Sequence, residues 1–381
     1  MGEVDFFFAL LRAGLWHESP DVSAPWVGSW PGIYQRAEEQ AIAPIISDGI
    51  ELLQSVYKEN HWLENLPTKM EKRPFVIEVL KTEARYHELL QALLELTDLW
   101  EKEGIRYCLM KGPSVGRFYR NQQRRKSGDI DLFVSRFDYV RAKEVVRPMS
   151  SSWEHEFIPE MHQGFSWGSV SVEIHGTNDT SLSGKIDKEL RLWRESEFSK
   201  CEIWIIQGHS VHVPRAELDV VYVFAHCLQH FYRGGIGLRQ LCDWACLLDC
   251  RFHELDLSSL HKRLKGMGLL HEWQAFGSFV VRYIGLPGGK MPFYTERMDR
   301  KADMICGEIL QSGNFGMKRE PLKKGGKTLI GKRIRSFHIV SREILRVFPI
   351  FPWQTLRTYS YGLRLLVMGR LTATFDLTRK S

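Results

Sequence analysis

The chain has 381 residues, of which 44% are hydrophobic, 26% charged and 12% aromatic, with a formal net charge of +6. This composition excludes a disordered chain, a collagen and a small disulfide scaffold, and the length suits two or three packed units of roughly 100–200 residues. No uncharged apolar run reaches the roughly 18–20 residues that cross a bilayer.

Glu3, Asp5 and Arg12 stand where a secretory leader needs a basic start and an unbroken apolar segment, so a cytoplasmic location is expected. The seven cysteines, an odd number, fit reduced and buried thiols. Cys242, Cys246 and Cys250 recur every fourth residue, the stripe of a packed helix face. Without a Cys-x2-Cys pair, packing is preferred there over a structural metal.

Residues 1–100 read as a helical N-terminal region. Phe6 to Trp16 is apolar with few breaks, and Ile33 to Leu53 keeps helical spacing. Pro74 suits a first helical position, opening a long amphipathic helix to Glu103. Leu89, Leu90, Leu93, Leu94 and Leu96 supply its apolar face, and Gly104 ends it.

The period changes in a core spanning 101–213. Ile105 to Met110 reads as a strand, and Lys111-Gly112-Pro113-Ser114 as a turn into a short helix ending near Tyr119. Asp129 to Val134 is a second strand, followed by a helix through Arg147. Phe157 to Met161 and Val170 to His175 read as an antiparallel pair. A helical domain at 214–314 follows: Pro214 opens a long helical stretch to about Asp249, with further helices to residue 310.

The remainder, 315–381, reads as a basic linker and C-terminal helical region. Between Phe315 and Arg346 ten bases face only Glu320 and Glu343, a local excess of +8. The block at 318–346 attracts phosphates or anionic surfaces, RNA among them, unless it is simply a solvated loop. Gly326 to Lys332 mimics a phosphate loop, but Arg333 replaces the required Ser or Thr and no buried strand precedes it. Phe337 to Phe375 reads as helical, broken at Pro349 and Pro352. Its Arg357, Arg364 and Arg370 among apolar residues suit contact with an anionic membrane surface, although packing on the N-terminal helices is the preferred reading.

The sharpest signal is Gly128-Asp129-Ile130-Asp131-Leu132-Phe133-Val134. Strand alternation turns Asp129 and Asp131 to one face and Ile130, Leu132 and Val134 to the other. Val170-Ser-Val-Glu-Ile-His175 repeats the logic, with Glu173 and His175 opposite the apolar set. Carboxylates gathered on one face need a positive partner, and a divalent cation is the usual one. If the strands neighbour each other, Asp129, Asp131 and Glu173 form a hard-oxygen set for Mg2+ or Mn2+. Two such metal ions ~3.5–4 Å apart are the standard arrangement for attack on phosphorus. The bland alternative is an exposed edge strand with its acids in water.

Leu109-Met-Lys111-Gly112-Pro-Ser114, Tyr119, Arg125, Asp129-Ile-Asp131-Leu and Val172-Glu173-Ile-His175 together resemble the polymerase-beta-type nucleotidyltransferase superfamily. More narrowly they are similar to an uncharacterised bacterial nucleotidyltransferase family with a "Leu-Lys-Gly … Arg … Asp-Ile-Asp-Leu" core. His226 and His230 match that family's helical histidine pair, and Leu241-Cys-Asp243-Trp its following motif. The superfamily generally has Gly-Gly or Gly-Ser in the turn where this chain has Lys111-Gly112-Pro113-Ser114.

The resemblance implies an α+β fold: a small mixed or antiparallel nucleotidyltransferase sheet with flanking helices, embedded between helical N- and C-terminal regions. It implies an NTP substrate, ATP first, and a hydroxyl acceptor on a small molecule, sugar or protein. Gly112 would let the backbone approach the triphosphate, Ser114 would offer a hydroxyl, and the following helix N-terminus would favour negative charge. Lys111 would neutralise phosphate or be a plain surface lysine, and Arg125 is the candidate phosphate clamp. Asp129 and Asp131 would hold the metal; Glu173 would complete a second site or take the acceptor's proton. His175 is expected near the site. His226 and His230 at i and i+4 share a helix face; with Asp243 they line the cleft or are packed between helices. Cys227 in place of a Glu disfavours a zinc peptidase. The competing function is a catalytically silent nucleotide- or RNA-binding protein of the same fold.

Overall fold

The apolar N-terminal runs become helices in the computed structural model, which describes residues 2–156, 161–177, 180–316, 341–342 and 344–367. Helix α1 (Glu3–Trp16) buries Phe6, Phe7, Phe8, Leu10 and Leu11. The helical spacing from Ile33 to Leu53 divides into α2 (Trp30–Glu39) and α3 (Ala43–Glu59), because the chain turns at Ala41, which has φ 57°. Helices α1 and α3 cross backbone to backbone through Gly14 and Gly49. A Cβ on Gly49 would stand 2.1 Å from the Leu10 carbonyl oxygen.

Helix α4 (Lys69–Lys102) starts five residues before Pro74, which lies inside it rather than at its first position. Thr68 overrides the proline as the start signal: its hydroxyl accepts from the Glu71 N–H, and Glu71 answers with a bond to the Thr68 N–H, a reciprocal capping box.

The core alternates β1 (Tyr107–Met110), α5 (Gly112–Gly116), β2 (Asp129–Val134), α6 (Tyr139–Val146), β3 (Ser152–Trp153), β4 (His162–Trp167) and β5 (Val170–His175). The strands form one mixed sheet in the order β1-β2-β5-β4-β3, with β2 and β5 parallel and the other neighbours antiparallel. The strand paired with β5 is His162–Trp167, not Phe157–Met161, and residues 157–160 lie outside the described set. The two strands meet across Gly168 and Ser169, where Gly168 (φ 58°) makes the tight turn. On one sheet face Leu109, Ile130, Leu132, Val134, Val172 and Ile174 pack against Leu89, Leu93, Leu96 and Trp100 of α4 and Tyr139 of α6. That apolar underside commits the opposite face to the acids.

After α7 (Gly184–Glu197) comes a hairpin absent from the sequence reading, β6 (Glu202–Ile206) and β7 (His209–Val213), joined at Gln207 and Gly208 with φ 50° and 84°. Positive φ at both turn residues matches the right-handed twist of the strands. The helical stretch expected from Pro214 to Asp249 is two helices, α8 (Ala216–Arg233) and α9 (Leu238–Arg251), parted at Gly234–Gly237. Cys242 and Cys246 of α9 lie in the main apolar core, whereas Cys250 at the end of the stripe is exposed. That core also takes in α1, α3, α10 (Leu257–Met267), α11 (Leu270–Phe279) and α12 (Asp299–Ser312). Pro352 begins the last helix, α13 (Pro352–Val367), instead of breaking one.

No helix among the described residues is long and apolar enough to cross a membrane. Most of the basic block, with the Gly326–Lys332 motif, lies outside the described residues, as do residues 368–381. Arg346, at the end of the block, donates to Glu308 at 2.7 Å and to the Phe231 carbonyl.

Two stability measurements test this packing. Gly49→Ala forces α1 and α3 apart, and urea unfolding is expected to show a loss of about 1–3 kcal/mol or more. Asp219, at the start of α8, is 1% exposed, and neither carboxylate oxygen has a hydrogen-bond partner among the described residues. Burial pushes its pKa from 3.8 up to about 7, against the pull of Arg117 and Arg251. The folded value exceeds the unfolded one, so its contribution is fullest below about pH 4 and declines as pH rises toward 7. Asp219→Asn is expected to flatten that slope when urea midpoints at pH 4.5 and 7.5 are compared.

Candidate active site

The parallel pairing of β2 with β5 sets Asp129 beside Ser171, Asp131 beside Glu173 and Phe133 beside His175. Alternation then carries Asp131, Glu173 and His175 to the sheet face roofed by α8. His175 Nε2 lies 2.8 Å from Asp131 Oδ1 and 3.3 Å from Glu173 Oε2, and Lys111 Nζ lies 3.0 Å from the same Asp131 oxygen. Among the described residues, Asp131, Glu173 and His175 form the metal-capable group, their ligand atoms within 4.8 Å of one another. Asp129 lines the same cavity but stands outside this tight set. The expected three-acid convergence is thus two acids and an imidazole, with the third acid alongside.

Charge is unevenly compensated here. Burial alone would raise Asp131, but the Lys111 ammonium and the His175 ring outweigh it and hold the carboxyl far below its usual range. Burial likewise opposes ionisation of Glu173, and its bond to His175 reverses the balance, keeping it low. The His175 ring, disfavoured as a cation by burial, is pushed up by its bonds to both acids. Lys111 is raised, the attraction of Asp131, Tyr222 and the other acids exceeding the cost of burial. Asp129 is not rescued: burial, then repulsion from Asp131 and Glu173, pushes it up to about 6. The repulsion left on Asp129 beside Asp131 and Glu173 is what a divalent metal held by these oxygens would relieve.

Backbone strain marks the same corner. Lys111 has φ 58° and ψ −156°, a region kept almost wholly to glycine, at a cost of ~1–3 kcal/mol. Gly112 follows at φ 46°, where a Cβ would stand 3.2 Å from the Asp129 carbonyl oxygen. The two residues turn β1 sharply, bringing the Lys111 ammonium back over Asp131.

The cavity above the acids is about 220 Å³ and is lined by Lys111, Gly112, Arg125, Asp129, Asp131, Glu173, His226, His230, Arg239, Gln240, Asp243 and Phe315, among others. His226 and His230 face each other, Nε2 to Nε2, at 3.0 Å. Burial and the Lys111 charge keep both rings neutral, His230 pushed down to about 3.

A family model described as an uncharacterised nucleotidyltransferase matches residues 28–284, two thirds of the chain. The chain belongs to that nucleotidyltransferase family. It is by that membership a transferase. No curated protein matches it. The matched span holds the sheet, α8 and α9, and ends before α12 and the Phe315 loop.

Within this family frame, several residues sit differently from their expected roles. Ser114 is fully buried, its hydroxyl has no partner among the described residues, and it does not line the cavity. Helix α5 has only five residues, too short to offer the expected dipole. Arg125 is 4% exposed and engaged: Nε and Nη2 donate to the two Asp243 oxygens at 2.7 and 2.8 Å, and the Tyr119 hydroxyl donates to Asp243 at 2.6 Å. Its neighbours are engaged too, Arg124 by Asp48 and Glu83, and Lys126 by Glu78. Asp243 is therefore a structural anchor that locks Arg125, rather than a free cleft acid.

The cation that sequence reading missed is Arg239. It lines the cavity, donates to the Lys126 carbonyl at 2.9 Å, and acts electrostatically on Asp129. A sequence signal existed, since Arg239 precedes Asp243 by one helical turn and so shares its face.

The Arg125–Asp243 pair gives a test independent of catalysis. Asp243→Ala strands a buried guanidinium, and chemical denaturation is expected to show a loss of about 3–5 kcal/mol.

Proposed function

We propose that the chain transfers a nucleoside monophosphate from an NTP to a hydroxyl of an acceptor, with Mg2+ or Mn2+. The observation that carries this reading is the meeting of Asp131, Glu173 and His175 beside Asp129, in a cavity that also presents Lys111 and Arg239. Asp131 and Glu173, with Asp129 alongside, would hold the cation, which when bound supplies charge neutralisation for the triphosphate.

The chain's own groups do the rest. Lys111 and Arg239 are the cavity cations available to the phosphates, whereas Arg125 serves the scaffold. Gly112 keeps the turn free of a side chain where the triphosphate approaches. The acceptor oxygen bonds to the α-phosphorus, the bond from that phosphorus to the bridging oxygen breaks, and pyrophosphate departs. Glu173, with a side chain 36% exposed against 6% for Asp131, is the accessible carboxylate to receive the acceptor's proton. Its hydrogen bond to His175 fixes its orientation. Holding the reactants in line and neutralising their charge provides most of the acceleration.

Incubation with α-labelled ATP, GTP, CTP and UTP, Mg2+ or Mn2+ and a panel of hydroxyl acceptors should release pyrophosphate and add a nucleotide mass to one acceptor. Asp131→Asn is expected to cut that rate on the order of 10²-fold or more, and Asp129→Asn to weaken Mg·NTP binding in calorimetry. Native affinity and native rate in both variants would refute the metal and acid assignment.

A further inference from the structure

Beyond the end of the family match, the chain builds a second wall of the cavity from a short strained loop. Phe315 has φ 51° and ψ 26°, a left-handed conformation unusual for a bulky side chain. Gly313 and Gly316 on either side are also at positive φ, where glycine is unstrained. The loop is pinned from below. Asn314 is buried and its Oδ1 accepts from Gln240 Nε2 at 3.2 Å, and a Cβ on Gly237 would stand 2.7 Å from that same oxygen. The outcome is an aromatic ring that lines the cavity while 42% exposed, 4.8 Å from the His230 ring. A half-exposed phenylalanine held in a costly conformation at a cavity wall presents a flat apolar face to whatever enters.

Gln240 adds an independent observation. It is 5% exposed, lines the same cavity, and its Oε1 has no hydrogen-bond partner among the described residues. With Nε2 committed to Asn314, the orphan atom is an acceptor. A buried acceptor left unpaired carries a desolvation cost that a ligand donor would remove.

We propose that Phe315 and Gln240 form the nucleobase subsite of this cavity, the ring stacking on the base and the Gln240 oxygen accepting from an exocyclic amino group. The proposal rests on the nucleotidyl-transfer reading and narrows it to bases carrying an exocyclic amino group (adenine, cytosine or guanine), against uracil. The phosphates then lie toward Lys111, Arg239 and the acids, and the base toward α9 and the Phe315 loop.

Calorimetry on the full chain with Mg2+ and no acceptor tests it, using ATP and GTP with ITP, CTP with UTP, and inorganic tripolyphosphate as the probe without a base. Of whichever ring is bound, the amino member is expected to bind about tenfold more tightly than its oxo counterpart. Phe315→Gly should lower affinity for that nucleotide about tenfold and leave tripolyphosphate unchanged, while Phe315→Trp should retain binding. Because glycine relieves the φ strain, thermal melting of Phe315→Gly should not fall, which separates lost stacking from lost folding. Native NTP affinity in Phe315→Gly, an equal loss for tripolyphosphate, or no amino preference would overturn the subsite while leaving nucleotidyl transfer standing. Absence of binding by the native chain to every nucleotide and to tripolyphosphate would overturn the transfer reading itself, and this one with it.

Discussion

The parallel pairing of β2 and β5 is the constraint on which the rest depends. It puts Asp131 directly beside Glu173 and lets His175 reach both. The register is not free to drift, because a one-residue slip would send the acids into the apolar layer against α4 and lift Ile130, Leu132 and Val134 into the cavity. Burial of the underside therefore fixes the chemistry of the upper face. The same energetics that make the sheet stable gather like charges where they repel.

That repulsion is managed by unequal means. Lys111 and His175 both reach Asp131, so the most buried acid is the best compensated. Asp129 receives less and stays raised to about 6. The backbone strain at Lys111 belongs to this balance, since only a sharp turn at the end of β1 folds its ammonium back over β2. Further out, the Arg125–Asp243–Tyr119 knot ties α9 to the chain entering β2. Arg239, one turn earlier on α9, thereby reaches the cavity with its direction set. A cation engaged by Asp243 at the cavity wall thus positions a second one on the same helix.

Much of this was legible in the sequence because local periodicity carried it. The bounds of β2 and β5 follow from aliphatic residues at every second position with the acids between them, and the Lys111–Ser114 turn from its glycine and proline. The features that were missed depend on partners far away in the chain. Arg125 reads as a free clamp until a carboxylate 118 residues later claims it. The β6–β7 hairpin was hidden because Ile203 and Ile205 stay exposed, blurring the alternation that marks a half-buried strand, although Gln207-Gly208 between two β-branched runs was a usable turn signal. Pro74 misled by position: the stronger start signal was Thr68 with Glu71 three residues on, a pattern that outranks a proline able to sit in an early turn.

Helix α8 shows why a roof over such a site must be chosen carefully. It brings Val223, His226 and His230 down one face, each three or four residues from the next, so a single helix covers the acid corner. Cationic side chains there would repel Lys111 and compete with any other cation for the acids. The two histidines avoid both outcomes by staying neutral, since burial and the nearby ammonium make protonation unfavourable and their mutual hydrogen bond satisfies one polar atom on each ring. The roof is thus polar without being charged. Compensation of the acids is thereby left to Lys111, His175 and Arg239, and Asp129 receives the least of it.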